Sequence, residues 1–210
     1  SFLKEKGITV VHVVSSVKFA IKAEASGVDA IVCEGFEAGG HNGREETTTF
    51  TLIPMVKESI SIPVIAAGGI GNGRGMLAAI VLGADGVQIG SRFAASKESS
   101  AHENFKQKII DVKDGDTHLT LKELAPVRLI KNKFYQEIKE LYKENPTKEE
   151  LIGLLGRARA KKGIFEGDLD NGELEIGQIA GIINNISSAK DILEEIVTDF
   201  ETLKKTFSKQ

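Results

Sequence analysis

Ala30-Ile-Val-Cys33, followed at once by Glu34-Gly-Phe-Glu-Ala-Gly-Gly-His41-Asn-Gly43, is the stretch on which the fold turns. The apolar run has the length of a buried strand and lacks the polar alternation of a half-exposed one. Behind it stand four glycines within nine residues, Gly35, Gly39, Gly40 and Gly43, which open backbone angles closed to other residues and allow close approach to a ligand. Set among them are the carboxylates of Glu34 and Glu37 and a single histidine, His41, a side chain suited to moving protons near neutral pH. A loop of this kind at the C-terminal end of a strand is where parallel α/β proteins keep their chemistry. Taken alone, it also reads as a glycine-rich surface turn with a solvated histidine.

The same strand-and-turn unit recurs on both sides. Ile8–Val14 is a β-branched run that reads as a fully buried strand, and Ser15 or Ser16 is placed to cap a helix over Val17–Ala25 that ends at Gly27. Phe50–Ile60 reads as a helix with Pro54 near its first turn. Val64–Ala67 is a third strand ending in Gly68-Gly69, and Gly73–Leu82 a small-residue helix ending at Gly83. Gly86–Ile89 is a fourth strand ending in Gly90-Ser91-Arg92. Four such alternations predict a parallel sheet covered on both faces, with right-handed crossovers that bring the glycine-rich strand ends to one edge.

Beyond Lys97 the pattern turns mostly helical. Helices are expected over Ala101–Val112, Leu121–Leu124 and Lys133–Asn145, and from a capping box at Thr147–Glu150 to about Lys162. A polar turn is expected over Asp111–Asp116, a loop over Gly163–Glu175, an ordered segment over Ile176–Asn184 and a last helix over Ser188–Lys205. Four βα units followed by helices fit a small open sheet. They fit equally the second half of an eight-stranded barrel, and a start at Ser1 just before an apolar strand favours the barrel, since an open edge there would invite aggregation. The boundaries expected are 1–100 for the half-barrel and 101–210 for a mostly helical region packing on it.

Composition narrows the partners. With 210 residues, 41% hydrophobic, 27% charged and a net charge of −3, there is no electrostatic case for nucleic acid or an anionic membrane. The lone Cys33 lies in an apolar run and cannot form an internal disulfide, and no stretch has the length of a membrane span or the pattern of a signal peptide, so a cytoplasmic setting is expected.

Barrels of this class commonly bind a phosphate at their last two strand ends. Here the amides of Gly69 and Gly90, the hydroxyl of Ser91 and the charge of Arg92 are the candidates. A Gly73-x-Gly75-x-x-Ala78 match to a dinucleotide fingerprint falls inside a helix and is discounted. His12 reads as a hydrogen-bonded interior residue or one facing a barrel lumen, His102 as a helix-start residue, and His118 as solvated in a polar turn region. No second histidine or cysteine pairs with any of these, so no metal site is expected, and there is no Gly-x-Ser-x-Gly elbow. No strand ends in lysine, which removes the part a Schiff-base aldolase needs.

Glu34–Gly43, Pro63-Val-Ile-Ala-Ala-Gly-Gly-Ile70 and Gly83-Ala-Asp-Gly-Val-Gln-Ile-Gly-Ser-Arg-Phe93 together resemble the signatures of the nitronate monooxygenase and enoyl-ACP reductase II family. The likeness continues through Ala95–His102 to Gly177-Gln-Ile-Ala-Gly181. It implies an α/β fold, a TIM-type (β/α)8 flavin barrel of which this chain supplies the C-terminal four βα units plus a helical C-terminal region. It implies FMN as cofactor, His41 as the active-site histidine, and cofactor contacts at Glu34, Gly39, Gly68, Gly69, Gln88, Ile89, Gly90 and Ser91. Gln178 lies in a family motif without an implied contact. Glu34 in place of Gln, Ala94–Phe105 and Phe165–Gly172 look more like the reductases, which pass hydride from NAD(P)H through FMN to an enoyl thioester on acyl carrier protein. The alternatives are oxidation of alkyl nitronates with oxygen, and a non-catalytic barrel fragment or phosphate-ligand module. The partners implied are a small-molecule or carrier-bound substrate and a second copy in a homodimer, with neither nucleic acid nor membrane.

Overall fold

Four parallel strands carry the first half of the chain in the computed structural model, which describes residues 2–207. The chain divides into two compact units, the first made of residues up to Ala38, Asn42–Ile89 and the chain from Leu193 onward, the second of Gly39–His41 and Gly90–Ile192.

In the first unit, a short helix α1 (Phe2–Glu5) precedes β1 (Val11–Val14), α2 (Val17–Ala25) and β2 (Ala30–Glu34). The sheet order is β1, β2, β4 (Val64–Ala67), β5 (Gly86–Gln88), all parallel, with α3 (Thr49–Lys57) and α4 (Gly73–Val81) as crossovers. The expected alternation is therefore present in full. The apolar run of β2 is buried from Ala30 to Cys33, and its side chains meet Leu52, Ile53 and Val56 of α3 in one hydrophobic core. Burial pushes the Cys33 thiol up to about 12, which leaves it an inert core group.

Three details of this unit depart from the sequence reading. The first strand is shorter than Ile8–Val14 and is not buried: Val11 and Val13 are 46% and 48% exposed, His12 is exposed, and only Val14 is covered. The reason is topological, because β1 pairs with β2 along one edge and lies at the end of the sheet order. His12 is thus not a hydrogen-bonded interior residue. Pro54 lies inside α3 rather than in its first turn, because the helix starts at Thr49 and ends at Lys57. Its missing N–H leaves the carbonyl of Phe50 without a helical donor. Neither serine caps α2 by its side chain: Ser16 holds the cap position without a side-chain bond, and its Oγ is buried with no partner among the described residues.

The second unit is built on an antiparallel sheet in the order β3 (Gly40–His41), β7 (Val127–Ile130), β6 (Thr117–Thr120). Around it run α5 (Ser91–Ala94), α6 (Glu103–Asp111), α7 (Lys133–Tyr142), α8 (Lys148–Leu155), α9 (Arg159–Ile164), a 3-10 turn at Gln178–Ile182 and the start of α10 (Ala189–Phe207). The capping box at Thr147 and Glu150 is present.

Leu121–Leu124, expected as a helix, is instead the connection between β6 and β7. Leu121 takes a left-handed φ of +54°, and Pro126 disfavours the helical conformation in the residue before it. His118 accordingly lies on β6, packed on the Tyr135 ring at 5.3 Å, and not in a turn. The helix expected to run to Lys162 breaks at Gly156 and Ala158, both at positive φ. Arg159 makes the break stable: its guanidinium donates at 2.8 Å to the carbonyls of Leu154 and Leu155, which the helix end leaves without N–H partners.

Candidate functional site

The register of the parallel sheet decides which predicted residues meet in the first unit. Glu34 is paired with Ala67, and Ala67 with Gln88, so Glu34, the Gly68-Gly69 turn and Gln88-Ile89 follow one another along the C-terminal edge of three adjacent strands. Gly68 and Gly69 both take positive φ, +88° and +69°, a conformation that favours glycine. A Cβ on Gly68 would stand 2.7 Å from the Gly35 carbonyl oxygen, so the two glycine-rich turns are in mutual contact only because both lack side chains. The Gly69 amide has no acceptor among the described residues, and neither does that of Gly90, where a side chain would meet open space. Amides of this kind are donors for a phosphate oxygen.

Burial raises the Glu34 carboxyl above its ordinary range, so it is more easily protonated than a surface glutamate. Glu37, the other carboxylate of the opening loop, has a structural task. It accepts the N–H and the hydroxyl of Thr49, each at 2.9 Å, and so holds the first turn of α3.

In the second unit the organising residue is Gly177, which the sequence placed only in a motif. A Cβ on Gly39 would lie 2.4 Å from the Gly177 nitrogen, and the Gly177 N–H donates to Ser91 Oγ at 3.0 Å. Gly39 and Ser91, separated by half the unit's sequence, thus meet the same backbone. Ser91 keeps its own proton to donate while its oxygen serves Gly177. Arg92 does not supply the phosphate charge expected of it. It is buried, and its guanidinium donates to the Asn185 carbonyl at 3.1 Å and to Asn185 Oδ1 at 2.7 Å. Gln178 is exposed and lines a cavity of about 360 Å³ with Lys113, Asp114, Thr117 and Ile182.

His41 is exposed at the end of β3, held by antiparallel pairing of Gly40 with Arg128 and of His41 with Val127. Next along the same edge of β7 comes Glu175, bridged to Leu129. Sequence reading left Glu173 and Glu175 in a loop, although the period-2 alternation Glu173-Leu-Glu175-Ile was a strand signal. Burial is the largest cause raising the Glu175 carboxyl, and the charge of His41 opposes it. Burial likewise pushes Glu173 up to about 7, with Glu175 adding to the rise and Arg159 opposing it. His102 caps α6 by accepting the Asn104 N–H at 3.1 Å, and Gly73 and Gly75 lie within α4, where Gly73 packs on the backbone of α10. The dinucleotide fingerprint is therefore a helix-packing feature. Among the described residues no helix is long and apolar enough to cross a membrane.

A parallel βα sheet whose strand ends carry glycine turns and the half-buried carboxyl of Glu34 has the architecture of a half-barrel. The chain belongs to the nitronate monooxygenase family, whose model matches residues 1–199; its members are FMN-dependent oxidoreductases. It is 43% identical to FabK from Thermotoga maritima, with a TM-score of 0.90 over 100% of this chain and 66% of that one. It is 28% identical to the nitroalkane oxidase from Streptomyces ansochromogenes, with a TM-score of 0.80 over 98% of this chain and 61% of that one. Both are TIM-type barrels, and this chain corresponds to part of each. A probable nitronate monooxygenase of Staphylococcus aureus (strain JH9) is 40% identical over 173 residues, 77% of this chain and 49% of that protein. The chain spans about half the length of the curated relatives it matches. Each of the Gly69 and Gly90 amides, taken within its own unit, is the kind of donor that a phosphate such as that of FMN takes.

Proposed function

We propose that this chain is part of an FMN-dependent reductase that takes hydride from NAD(P)H and delivers it to the double bond of an enoyl thioester carried on acyl carrier protein. The observation that carries the reading is the 43% identity and 0.90 TM-score to FabK across the whole chain, against 28% and 0.80 for the nitroalkane oxidase. FMN, when bound, supplies the acceptance and release of hydride. The chain's own part is anchoring and proton handling. Gly68 and Gly69 of the first unit, and Gly90 and Ser91 of the second, each offer amide or hydroxyl donors suited to a phosphate; Glu34, Gln88 and Ile89 of the first and Gly39 of the second are the other residues the resemblance implies for the cofactor, and His41 handles the proton that the reduced thioester gains at its α-carbon.

The second reading, oxidation of alkyl nitronates by oxygen, is favoured by the family model and by the curated relatives. It uses the same His41, as a group beside the flavin that helps the oxidation. The two separate cleanly in the complete protein loaded with flavin. Anaerobic bleaching of the flavin by NAD(P)H and its recovery with a crotonyl thioester are expected. Failure to bleach removes the reductase reading, and rapid oxygen uptake with a nitronate in its place establishes the second. Absence of any flavin absorbance would leave a phosphate-ligand module. His41→Ala is expected to lower turnover by about 100-fold or more while flavin content is kept. Unchanged turnover would make His41 a bystander.

A further inference from the structure

The second unit also holds a cavity of about 280 Å³ between β6 and α7, which the proposed reaction does not use. Local periodicity explains which side chains line it. His118 and Thr120 stand two apart on β6 and so share a face of the strand. Tyr135, Lys139 and Tyr142 recur at helical spacing along α7, which puts them on one face of the helix. Just after β6 the chain passes Leu121, buried and at a left-handed φ of +54°. The two residues that follow it, Lys122 and Glu123, complete the wall.

The charges here are one-sided, although the whole chain carries a net charge of −3. Partial burial, and then the charges of Lys131, Arg128, Lys122 and Lys139, hold the His118 imidazole below its ordinary value. No carboxylate is among the groups that act on it. The one carboxylate in the cavity wall, Glu123, is already engaged, since it accepts the Tyr142 hydroxyl. Tyr142 in turn takes hydrogen bonds from the Thr120 hydroxyl and the Leu121 N–H. Burial and the bond to Glu123 push it up to about 12, so it stays a neutral phenol. Lys131 and Lys139 have no carboxylate partner among the described residues. A cleft with cations around it and low-dielectric rings in its wall focuses a positive potential inward. A histidine kept neutral by surrounding cations gains a proton when an anion offsets them.

We propose that this cavity binds a phosphate dianion, free or as a monoester, with the ammonium groups of Lys122 and Lys139 and the His118 ring as its donors. A phosphate suits the site better than a carboxylate does. It brings a second charge and three acceptor oxygens to three donors that stand on three different segments, β6, the connection after it and α7. The volume suits a phosphate and the few atoms next to it, and is too small for a whole dinucleotide. Thr120, Tyr142 and Glu123 are engaged with one another, so recognition falls to the three nitrogen donors. Two sources carry this chemistry: inorganic phosphate, and the 2′-phosphate that distinguishes NADPH from NADH.

The test is calorimetric titration of the complete protein with inorganic phosphate, NADP+ and NAD+. It is repeated on Lys122→Met, Lys139→Met and a control, Lys148→Met, which changes an exposed lysine of α8. Phosphate should bind the parent, and each of the first two substitutions should weaken it about tenfold. The control should change it by less than about twofold. In the NMR spectrum near neutral pH, phosphate should move the His118 ring signals toward those of an imidazolium in parent and control alike. The same losses with NADP+, and none with NAD+, assign the site to the 2′-phosphate; losses with phosphate but not with NADP+ assign it to free phosphate. Failure of the parent to bind phosphate overturns the proposal. So does phosphate affinity unchanged in both Lys122→Met and Lys139→Met, or a His118 signal that phosphate leaves in place. Both lysines are exposed, and Lys122→Gln and Lys139→Gln repeat the test with polar chains should a methionine disturb the fold. None of these readouts needs turnover, so the proposal stands or falls apart from the reductase reading.

Discussion

The two units of this chain treat buried polarity in opposite ways. In the first, Thr49 is the one polar side chain among the described residues that is less than a tenth exposed. Its sheet is held by backbone bonds and by small and branched apolar residues, with Ala66, Cys33 and Val64 at the centre. The second unit buries Arg92, Lys106, Arg128 and Glu173 to the same degree. It uses charged groups as struts: Arg92 holds Asn185, Lys106 takes Glu103 and the Lys97 carbonyl, and Arg159 closes a helix end. A parallel sheet satisfies its polar groups internally and asks only for close packing, whereas short helices and connections leave carbonyls that need a donor. Space should therefore govern the first unit, and charge and pH the second.

The strongest way to break that contrast is to add a methyl group where the first unit has no space. A Cβ on Gly35 would lie 2.0 Å from Thr49 Oγ1 and 2.4 Å from the Thr49 nitrogen, which is backbone and cannot yield. Gly35→Ala should cost about 3 kcal/mol or more in urea unfolding. Gly86→Ala, at a strand position with nothing within 4 Å, is its control and should be neutral or stabilising by up to about 1 kcal/mol. Equal effects at the two positions would show that space is not what governs the sheet.

Charge is probed next. Arg92→Met keeps the volume but removes the donor to the Asn185 carbonyl and leaves Asn185 Oδ1 only the Ser187 hydroxyl, and should cost about 2 kcal/mol by the same measurement. A neutral outcome would mean the strut is dispensable. Glu173 sharpens the pH side. Its folded carboxyl is pushed up to about 7, above the value of an unfolded glutamate, chiefly by burial. The stability it contributes is therefore complete below the unfolded value and lost as pH rises through about 7. Glu173→Gln should flatten the decline in stability between pH 5 and pH 8 and be the more stable protein at pH 8, by on the order of 1–2 kcal/mol. A decline as steep as the parent's would assign the pH response elsewhere. The smallest effect belongs to Lys57→Ala. Its pair with Asp85, at 2.7 Å, joins side chains 37% and 48% exposed, and its removal should shift stability by no more than about 1 kcal/mol.

Legibility followed the same division. The strands of the parallel sheet were readable because their cores are β-branched or apolar and a βα turn favours glycine, although β1 and β5 are not buried. The 4-residue run Ala30–Cys33 and the Gly68-Gly69 turn could mean little else. In the second unit, Leu121–Leu124 has the composition of a helix, yet the chain there is a turn, since β6 and β7 gain more by pairing than a one-turn helix gains alone. Arg92 read as a phosphate ligand from its place after a glycine. Its direction was set by Asn185, ninety-three residues away, which no local pattern reports.

By itself the sequence determined the βα alternation of the first unit, its parallel sheet and the glycine-rich strand ends, because periodicity and backbone freedom are local properties. Tertiary structure alone decided that β1 is an exposed edge, that Glu37 and Arg92 are braces, and that Glu175 bridges to the same edge of β7 as β3. Those outcomes depend on which distant segments share an edge of β7 or a face of the sheet. Pairing between remote segments is settled by the packing of the whole fold, and leaves its trace in the sequence only as a faint alternation such as Glu173-Leu-Glu175-Ile.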